Sequence, residues 1–279
     1  MSVRITIQKI LQDHGMIPKK GLGQHFLINE DLMSKVVSYA SLSRRDIVLE
    51  IGPGLGFLTE KIASQAKKVI AVEIDPEMAC MLERRLINME NLKILMGDIF
   101  DVAPTTFRKV VSTPPYSIST RIILWLWNKE IECSVLVLQE ELAQKLVACP
   151  GSKGYGRLSV NVHCRADVEL LDRISKEMFW PSPKVDSRIV RLTPKKTPVH
   201  IANAEIFSQT LNVFFTQRNR KIKNILVPLF IDQGFPKTKA REISKDIPCS
   251  NSRPRQLMPE EIAIITNKIA EELREANHS

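Results

Sequence analysis

The chain has 279 residues, 44% of them hydrophobic and 25% charged, and its formal net charge is +9 at pH 7. This composition excludes a mostly disordered chain, and its longest apolar runs are too short to cross a membrane. Because the chain exceeds the usual size of one domain, we expect a large domain and a smaller one. The positive charge favours a polyanionic partner without identifying it.

The sequence shows no signal for export and no metal-binding pattern. The segment up to Leu11 contains Arg4 and Lys9 and lacks the apolar stretch of a secretory leader, so we expect a cytoplasmic protein. The five cysteines form no Cys-x-x-Cys pair, and no histidine stands at metal-ligand spacing from them. We therefore expect reduced thiols and no bound metal.

From Asp46 onward, short apolar runs alternate with helical patterns. The predicted strands are Ile47–Ile51, Val69–Ile74, Leu92–Leu95, Val110–Ser112 and Ser134–Leu138. The predicted helices are Phe57–Gln65, Pro76–Asn88, Ser119–Lys129 and Glu140–Ala148. This alternation predicts an α/β, Rossmann-like parallel sheet with helices on both faces, which binds ligands at the carboxyl ends of its strands. Two later runs, Val168–Ile174 and Ser187–Leu192, are predicted to complete the sheet as an antiparallel pair.

The composition changes after Leu192. A basic linker bracketed by prolines, Thr193–Pro198, leads into a region with helical periodicity only. The helices predicted there are Ile206–Phe230, Thr238–Asp246 and Pro259–Ala276. We therefore expect two domains: residues 1–197, with residues 1–30 as a lead segment or lid, and an all-helical domain over residues 198–279.

The turn after the first predicted strand is rich in glycine. Gly52, Gly54 and Gly56 alternate with other residues ahead of a helix, so a ligand can approach bare backbone and its N–H groups. Glu73 ends the next strand, where a carboxylate can accept both hydroxyls of a ribose. The spacing G-x-G-x-G differs from the G-x-G-x-x-G of dinucleotide folds, which favours S-adenosylmethionine over a cofactor with a pyrophosphate. An ordinary strand-to-helix turn is the alternative.

Two further strand ends carry candidate site residues. After the third strand, Asp98 can accept the amine of the cofactor's adenine while Ile99 packs on the ring; a helix cap is the alternative. After the fourth strand, Ser112–Tyr116 holds two prolines of fixed φ and a tyrosine on which a base can stack. Methylating an exocyclic amine requires acceptors that turn its lone pair toward the methyl group and a nucleotide swung out of its helix. A tight proline turn with a core tyrosine is the alternative.

A basic, glycine-rich lead, Lys19–Gly23, precedes the segment Gln24–Leu27 and can fold over the cofactor as a lid. By itself His25 is more typical of a surface or core histidine than of a catalytic one. The predicted helical domain holds clustered cations that could follow phosphates with sequence-independent, salt-dependent affinity. These candidates for RNA binding are Arg218, Arg220, Lys221, Lys223, Arg253 and Arg255. A solvated helix face is the alternative.

Together these segments resemble the ribosomal RNA adenine dimethyltransferases of the KsgA type, from about Lys19 to about Glu261. Gly23–Leu27 is similar to the family's G-Q-N/H-F-L, and Glu50–Gly56 matches its E-I-G-P-G-x-G. The G-x-G-x-G pattern is shared by many methyltransferases, whereas the combination of segments is specific to this family. Four other segments carry the resemblance: Tyr155–Val160, Pro181–Ser187, Arg218–Lys221 and Arg253–Leu257.

The resemblance implies that S-adenosylmethionine is the donor and that two methyl groups go to N6 of each of two adjacent adenosines near the 3′ end of small-subunit rRNA. It places Thr113, Pro115 and Tyr116 at the target base. The implied cofactor residues are Gln24, His25, Leu27, Gly52, Gly54, Glu73, Ile74, Asp98, Ile99 and Thr113. The expected partner is small-subunit rRNA or a pre-ribosomal small subunit, bound by a monomer without membrane or metal.

One residue departs from the family pattern. Its fourth-strand motif begins with asparagine, and this chain has Thr113. A threonine hydroxyl is shorter than an asparagine amide and must reorient to accept from the target amine. Three functions stay open: an active small-subunit enzyme, an rRNA-binding assembly factor that has lost most of its catalysis, and a large-subunit methyltransferase that confers macrolide resistance. The intact Glu73, Asp98 and glycines favour the first.

Overall fold

A computed structural model of the chain describes residues 3–102 and 104–276. The chain divides into a sheet unit, Met1–Ala143 with Val168–Pro194, and a helical unit, Gln144–Asp167 with Lys195–Ser279. In the described ranges no helix is long and apolar enough to cross a membrane, and no group of histidine, cysteine or acidic side chains is arranged to hold a metal ion.

The strands and helices are numbered along the chain. The strands are β1 Phe26–Leu27, β2 Ile47–Ile51, β3 Lys68–Glu73, β4 Leu92–Met96, β5 Lys109–Ser112, β6 Cys133–Gln139, β7 Ala166–Ile174, β8 Phe179–Trp180 and β9 Ser187–Pro194. The helices are α1 Val3–Asp13, α2 Glu30–Tyr39, α3 Phe57–Ala63, α4 Pro76–Arg85, α5 Ile99–Val102, α6 Ser119–Leu126, α7 Glu140–Leu146, α8 Arg157–His163, α9 Ala204–Thr216, α10 Ile222–Asp232, α11 Lys237–Asp246 and α12 Pro259–Ala276.

Seven strands form one sheet in the order β4-β3-β2-β5-β6-β9-β7. The pairs β3–β4, β2–β3, β2–β5 and β5–β6 are parallel, and β9 pairs antiparallel with β6. The chain moves outward from β2 to β4 and returns to β5 on the other side of β2. This reversal opens a crevice beyond the carboxyl ends of β2 and β5, where open α/β sheets bind their ligands. The predicted α/β fold and its five parallel strands are confirmed.

The strands are apolar because most of the sheet is covered on both faces. The backbone of β2 places Val48 and Leu49 in fully buried positions, and β3 does the same with Val69 and Ala71. Such continuous apolar runs are typical of parallel strands with helices on each side. The same burial makes the two buried carboxylates of these strands, Glu50 and Glu73, exceptional, whereas Lys68 at the start of β3 is exposed.

The predicted helix Ile206–Phe230 is wrong, because the chain breaks it into α9 and α10. The Gln217 N–H still bonds the Val213 carbonyl, but Arg220 N–H then bonds Gln217 O at 2.9 Å and closes a turn. The next helix starts where Ile222 N–H donates to Ser252 O at 3.0 Å. The Ile222 N–H, which would have donated within a continuous helix, is therefore used in a tertiary hydrogen bond to Ser252.

The unit boundary also differs from the predicted division at residue 197. Residues 144–167 belong to the helical unit, since α8 and the turn before it pack into that unit's core. Tyr155 is buried there, its hydroxyl donates to Leu257 O at 2.7 Å, and its ring meets Phe215 edge-on. The apolar positions of this segment are thus part of a helical core and not of the sheet.

Candidate active site

The loop from β2 to α3 runs closely against other backbone and side chains. Gly54 and Gly56 have φ values of 55° and 81°, which L side chains rarely adopt. A Cβ at Gly56 would lie 2.3 Å from Leu82 Cδ1, and one at Gly54 would lie 2.9 Å from Phe26 Cε1. Glycine is therefore required here both by conformation and by space, and the loop leaves its backbone bare on the cleft side.

Glu73 is held at the tip of β3 by backbone donors. Its Oε2 accepts from Gly54 N–H at 3.1 Å, and its Oε1 accepts from Asp75 N–H at 3.0 Å. The side chain is nearly buried, and burial raises the pKa of Glu73 while the two N–H groups act in the opposite direction. The glycine loop and the acidic strand end therefore form one hydrogen-bonded unit.

The end of β5 is fixed by two hydroxyl contacts. Ser112 Oγ donates to Ile51 O at 2.6 Å, which ties β5 to the start of the glycine loop. The Tyr116 hydroxyl and Ser187 Oγ are 2.6 Å apart, so the ring is anchored at its far end. Burial raises the pKa of Tyr116 above its ordinary value. The tyrosine is thus neutral and held in place beside Thr113.

The hydrogen-bond acceptors that follow β5, in the segment Thr113–Tyr116, differ in whether they already have a donor. The Pro115 carbonyl already accepts from Ser119 Oγ and from Ile118 N–H, both at 3.2 Å. No donor in the described ranges reaches the Thr113 hydroxyl or the Pro114 carbonyl. Thr113 is half-buried and lines the cleft. Thr113 and Pro114 therefore offer the acceptors for an incoming N–H group.

The lead segment reaches the site by pairing with a distant strand. β1 and β8 are antiparallel, with Phe26 opposite Trp180. His25 Nδ1 lies 2.7 Å from Pro181 O, and because a carbonyl only accepts, Nδ1 carries the hydrogen. The His25 ring is stacked with Tyr116, with centroids 5.9 Å apart and planes inclined by 23°. The lead, the β8 segment and the end of β5 thus meet at one place.

These groups surround a single cleft in the sheet unit that holds about 820 Å³ of space, part of it open solvent. The predicted site residues that line it are Gln24, His25, Leu27, Gly52, Gly54, Glu73, Ile74, Thr113, Pro115 and Tyr116. Asp98 and Ile99 are not among its lining residues. Asp98 Oδ1 accepts from Phe100 N–H at 2.9 Å, as a helix cap does, and Ile99 is buried. Their roles at the adenine stay predictions.

Comparisons with known proteins identify the family. A model of the family described as ribosomal RNA adenine dimethylase matches residues 17–266. The chain belongs to this family.

Individual relatives agree with the family match. The chain is 38% identical over 248 residues to a probable ribosomal RNA small subunit methyltransferase A of Methanosarcina acetivorans, covering 88% of this chain and 91% of the relative. A protein of the same description from Pyrococcus abyssi is 38% identical, covering 95% of this chain and 96% of the relative.

Two solved structures are similar to this chain as well. A dimethyladenosine transferase from Plasmodium falciparum has a TM-score of 0.79 and 26% identity, covering 88% of this chain and 98% of that one. The 23S rRNA methyltransferase ErmE has a TM-score of 0.64 and 25% identity, covering 88% of this chain and 99% of that one.

The six cations predicted to bind RNA in this dimethylase lie in the helical unit. Arg218, Arg220 and Lys221 are on the turn between α9 and α10, not on a helix, and Lys223 is in the first turn of α10. Arg253 Nε donates to Asn219 O at 2.9 Å, so the two predicted groups of cations are adjacent. Within the described residues, none of the six forms an ion pair. Their RNA contacts stay a prediction.

Sequence reasoning missed several residues of the cleft in this family member. Phe26 and Phe179 line it as partners of the β1–β8 pair, and Val137 lines it from β6. Ser187, the last residue of the matched segment Pro181–Ser187, anchors Tyr116. Strands of two residues are too short to give a periodic signal in the sequence, so Phe26 and Phe179 could not be found from periodicity. Ser187, in contrast, belongs to a segment that resembles the family.

Proposed function

We propose that this chain is an S-adenosylmethionine-dependent dimethyltransferase that modifies N6 of two adjacent adenosines near the 3′ end of small-subunit rRNA. The observation that carries this proposal is the meeting of the glycine loop, Glu73 and the Thr113–Tyr116 corner in one cleft. Membership of the rRNA adenine dimethylase family supports adenine as the methylated base and dimethylation as the reaction. The small-subunit relatives favour that ribosomal subunit over the large one.

The cleft fits an adenosyl donor. A Cβ at Gly52 would lie 3.2 Å from Pro115 Cδ, so glycine keeps the space between the β2 and β5 loops open. Glu73 presents a buried carboxylate at the end of β3, which suits the two hydroxyls of a ribose. Ile74, beside it, is 48% exposed and offers an apolar surface to an adenine ring. When bound, this donor supplies an electrophilic methyl group on a sulfonium.

The chain's own residues orient the target amine. The lone pair of an exocyclic amine is delocalised into its ring, so the amine must be held with the lone pair directed at the methyl group. We assign the Thr113 hydroxyl and the Pro114 carbonyl as acceptors for the two N–H groups. Tyr116, anchored by Ser187, supplies the surface on which the base stacks. Methyl transfer to such an amine needs positioning more than a strong base.

Thr113 also supports a second candidate, an rRNA-binding assembly factor with little catalysis. A hydroxyl is a shorter acceptor than the family's asparagine amide. The intact donor cleft speaks against this candidate, because Glu73 and the glycine loop retain the arrangement that a donor needs. We therefore rank the active enzyme first.

We further infer that the helical unit binds the rRNA. The adjacent, unpaired cations of the 217–223 turn and of Arg253 are suited to phosphates. The inferred partner is rRNA within a pre-ribosomal small subunit of the cytoplasm, and the inferred form of the enzyme is a monomer.

The deciding experiment incubates the protein and isotopically labelled donor with unmodified small subunits and, in a parallel reaction, with large subunits. Mass spectrometry of the 3′-end rRNA fragment should show four added methyl groups, two on each of two adjacent adenosines. Tyr116→Ala serves as the control and should add few or none. Labelled methyl groups on large-subunit rRNA, or no label on either RNA with donor bound, would contradict the proposal.

A further inference from the structure

Asp75 lies at the junction of three segments of the sheet unit. It follows Glu73 by two residues, and its Oδ1 accepts from Glu77 N–H at 3.2 Å in the first turn of α4. Its side chain has 0% exposure. A carboxylate removed from water to this degree needs several partners.

Two side chains of the lead segment supply those partners. Lys19 Nζ is 2.9 Å from Oδ1 of Asp75, and Gln24 Nε2 donates to Oδ2 at 2.9 Å. Gln24 Oε1 also accepts from Lys19 N–H at 2.7 Å, so residues 19–24 close into a loop on this carboxylate. Burial acts to raise the pKa of Asp75, but the bonds from Lys19 and Gln24 outweigh it and hold the pKa below its ordinary value.

Asp75 also contacts Glu73, the residue proposed to bind the ribose of S-adenosylmethionine. The Asp75 N–H is one of the two backbone donors to Glu73. On the other side, Gln24 itself lines the cleft, as do His25 and Leu27 after it. Moving the lead away from the cleft breaks the Lys19 and Gln24 bonds and leaves a buried carboxylate with its helix cap alone. Opening is therefore costly.

We propose that Asp75 is a positioning residue that holds the lead segment closed over the donor site, with Lys19 as its partly exposed counter-ion. This inference rests on the proposed binding of S-adenosylmethionine in the cleft. The contact between Asp75 and Lys19 controls how long S-adenosylmethionine stays bound. It does not involve Thr113 and Pro114, which orient the target amine.

The test compares Lys19→Met, Asp75→Asn and the double variant with the wild type in the full chain. The dissociation rate of S-adenosylmethionine is measured by displacement with excess S-adenosylhomocysteine, and hydrogen exchange is followed in the lead segment. Each single variant should release the donor about five- to tenfold faster and exchange faster in the lead. The double variant should add little to the effect of Lys19→Met, because that change already removes the contact with Asp75 together with a second ion pair of Lys19, to Glu77 Oε2 at 2.6 Å.

Two controls separate this role from a general loss of an ion pair. Lys19→Arg keeps the charge and should behave like the wild type. Lys35→Met removes another lysine–aspartate contact of 2.9 Å, to Asp172, away from the cleft residues, and should leave donor release unchanged.

The outcomes distinguish the two proposals. A wild type that binds no donor contradicts the donor site itself. A wild type that binds donor, with unchanged release and exchange in Lys19→Met and Asp75→Asn, overturns the role of Asp75 alone. A lower melting temperature with an unchanged release rate also overturns it, because the contact is then only structural.

Discussion

In the proposed mechanism, Thr113 supplies one of two hydrogen-bond acceptors for the target amine. Its hydroxyl has no partner in the described part of the chain, and the neighbouring Pro115 carbonyl is already occupied. Only Thr113 and the Pro114 carbonyl are left to receive the amine. We expect a weaker acceptor at one of these two positions to lower the rate of methylation without abolishing it.

Variants at Thr113 separate an enzyme from an assembly factor. Thr113→Val keeps the shape and removes the acceptor, so single-turnover methylation should fall about 10- to 100-fold with donor binding unchanged. Thr113→Asn should equal or exceed the wild-type rate. If the valine variant is as fast as the wild type, the Pro114 carbonyl orients the amine alone; if only the asparagine variant works, the chain is an assembly factor.

Glu73 is expected to carry much of the donor's affinity. Glu73→Ala removes a buried, charged acceptor from the ribose hydroxyls and should weaken S-adenosylmethionine binding at least about tenfold, equivalent to about 1.5–3 kcal/mol. Calorimetry measures this directly. Glu83→Ala, an exposed glutamate of α4, is the matched control and should bind normally. Equal affinities in the two variants would remove Glu73 from the site.

Glu50 makes the stability of the sheet unit depend on pH. Burial raises the pKa of this β2 carboxyl to about 8, and the nearby Glu73 acts in the same direction. The unfolded chain ionises near the ordinary value of 4.5, so the folded chain holds the extra proton between 4.5 and about 8. Stability therefore falls as pH rises through that window and levels off above it.

Replacing Glu50 with glutamine should remove this dependence. The unfolding free energy of Glu50→Gln relative to the wild type should rise by up to about 1.4 kcal/mol per pH unit within the window. Urea unfolding between about pH 5 and pH 8 checks the slope. Glu83→Gln should show a difference that does not change with pH. Parallel curves for Glu50→Gln and wild type would mean that the buried carboxyl titrates normally.

At the scale of elements, the turn between α9 and α10 presents cations without intramolecular ion pairs in the described residues. Replacing the four cations of the 217–223 segment with glutamine should weaken rRNA binding and reduce the log–log salt slope by up to about 3. Donor binding should not change. Filter binding over a range of salt concentrations measures the slope.

The control for this change is a helix of the same unit that carries the same number of cations. Helix α11 carries four exposed cations, Lys237, Lys239, Arg241 and Lys245, and their replacement alters the net charge equally. An equal reduction of the salt slope in both variants would mean that RNA binding responds to total charge. An unchanged slope in the variant of the 217–223 segment would mean that this turn is only a solvated surface.

The long elements could be predicted from the sequence because their signals are local. The strands β2 and β3 are apolar runs; Gly52 follows β2 directly, and Glu73 is the last residue of β3. The two-residue strands β1 and β8 are too short for periodicity, and only their pairing brings Phe26 to the glycine loop. The break after Thr216 depends on the bond from Ile222 to Ser252, which no local pattern reveals.

At the scale of the whole molecule, the predicted and observed divisions of the chain differ. A boundary at residue 197 follows the basic linker, whereas residues 144–167 lie in the helical core. Within that core Tyr155, Val160 and Cys164 are buried together with Phe207 and Phe214. The helical unit is therefore assembled from two stretches of sequence, one of which interrupts the sheet unit.

This arrangement predicts that a chain of residues 1–197 is not an independent domain. Without residues 198–279, the apolar side chains of Tyr155, Val160 and Cys164 lose their partners and face water, which favours aggregation. The truncated chain should bind a hydrophobic dye and sediment as oligomers. The matched control is the same truncation with Tyr155→Ser, Val160→Thr and Cys164→Ser, which should be more soluble. A monomeric, dye-free truncated chain that binds S-adenosylmethionine as the full chain does would show that residues 144–167 fold without the helical core.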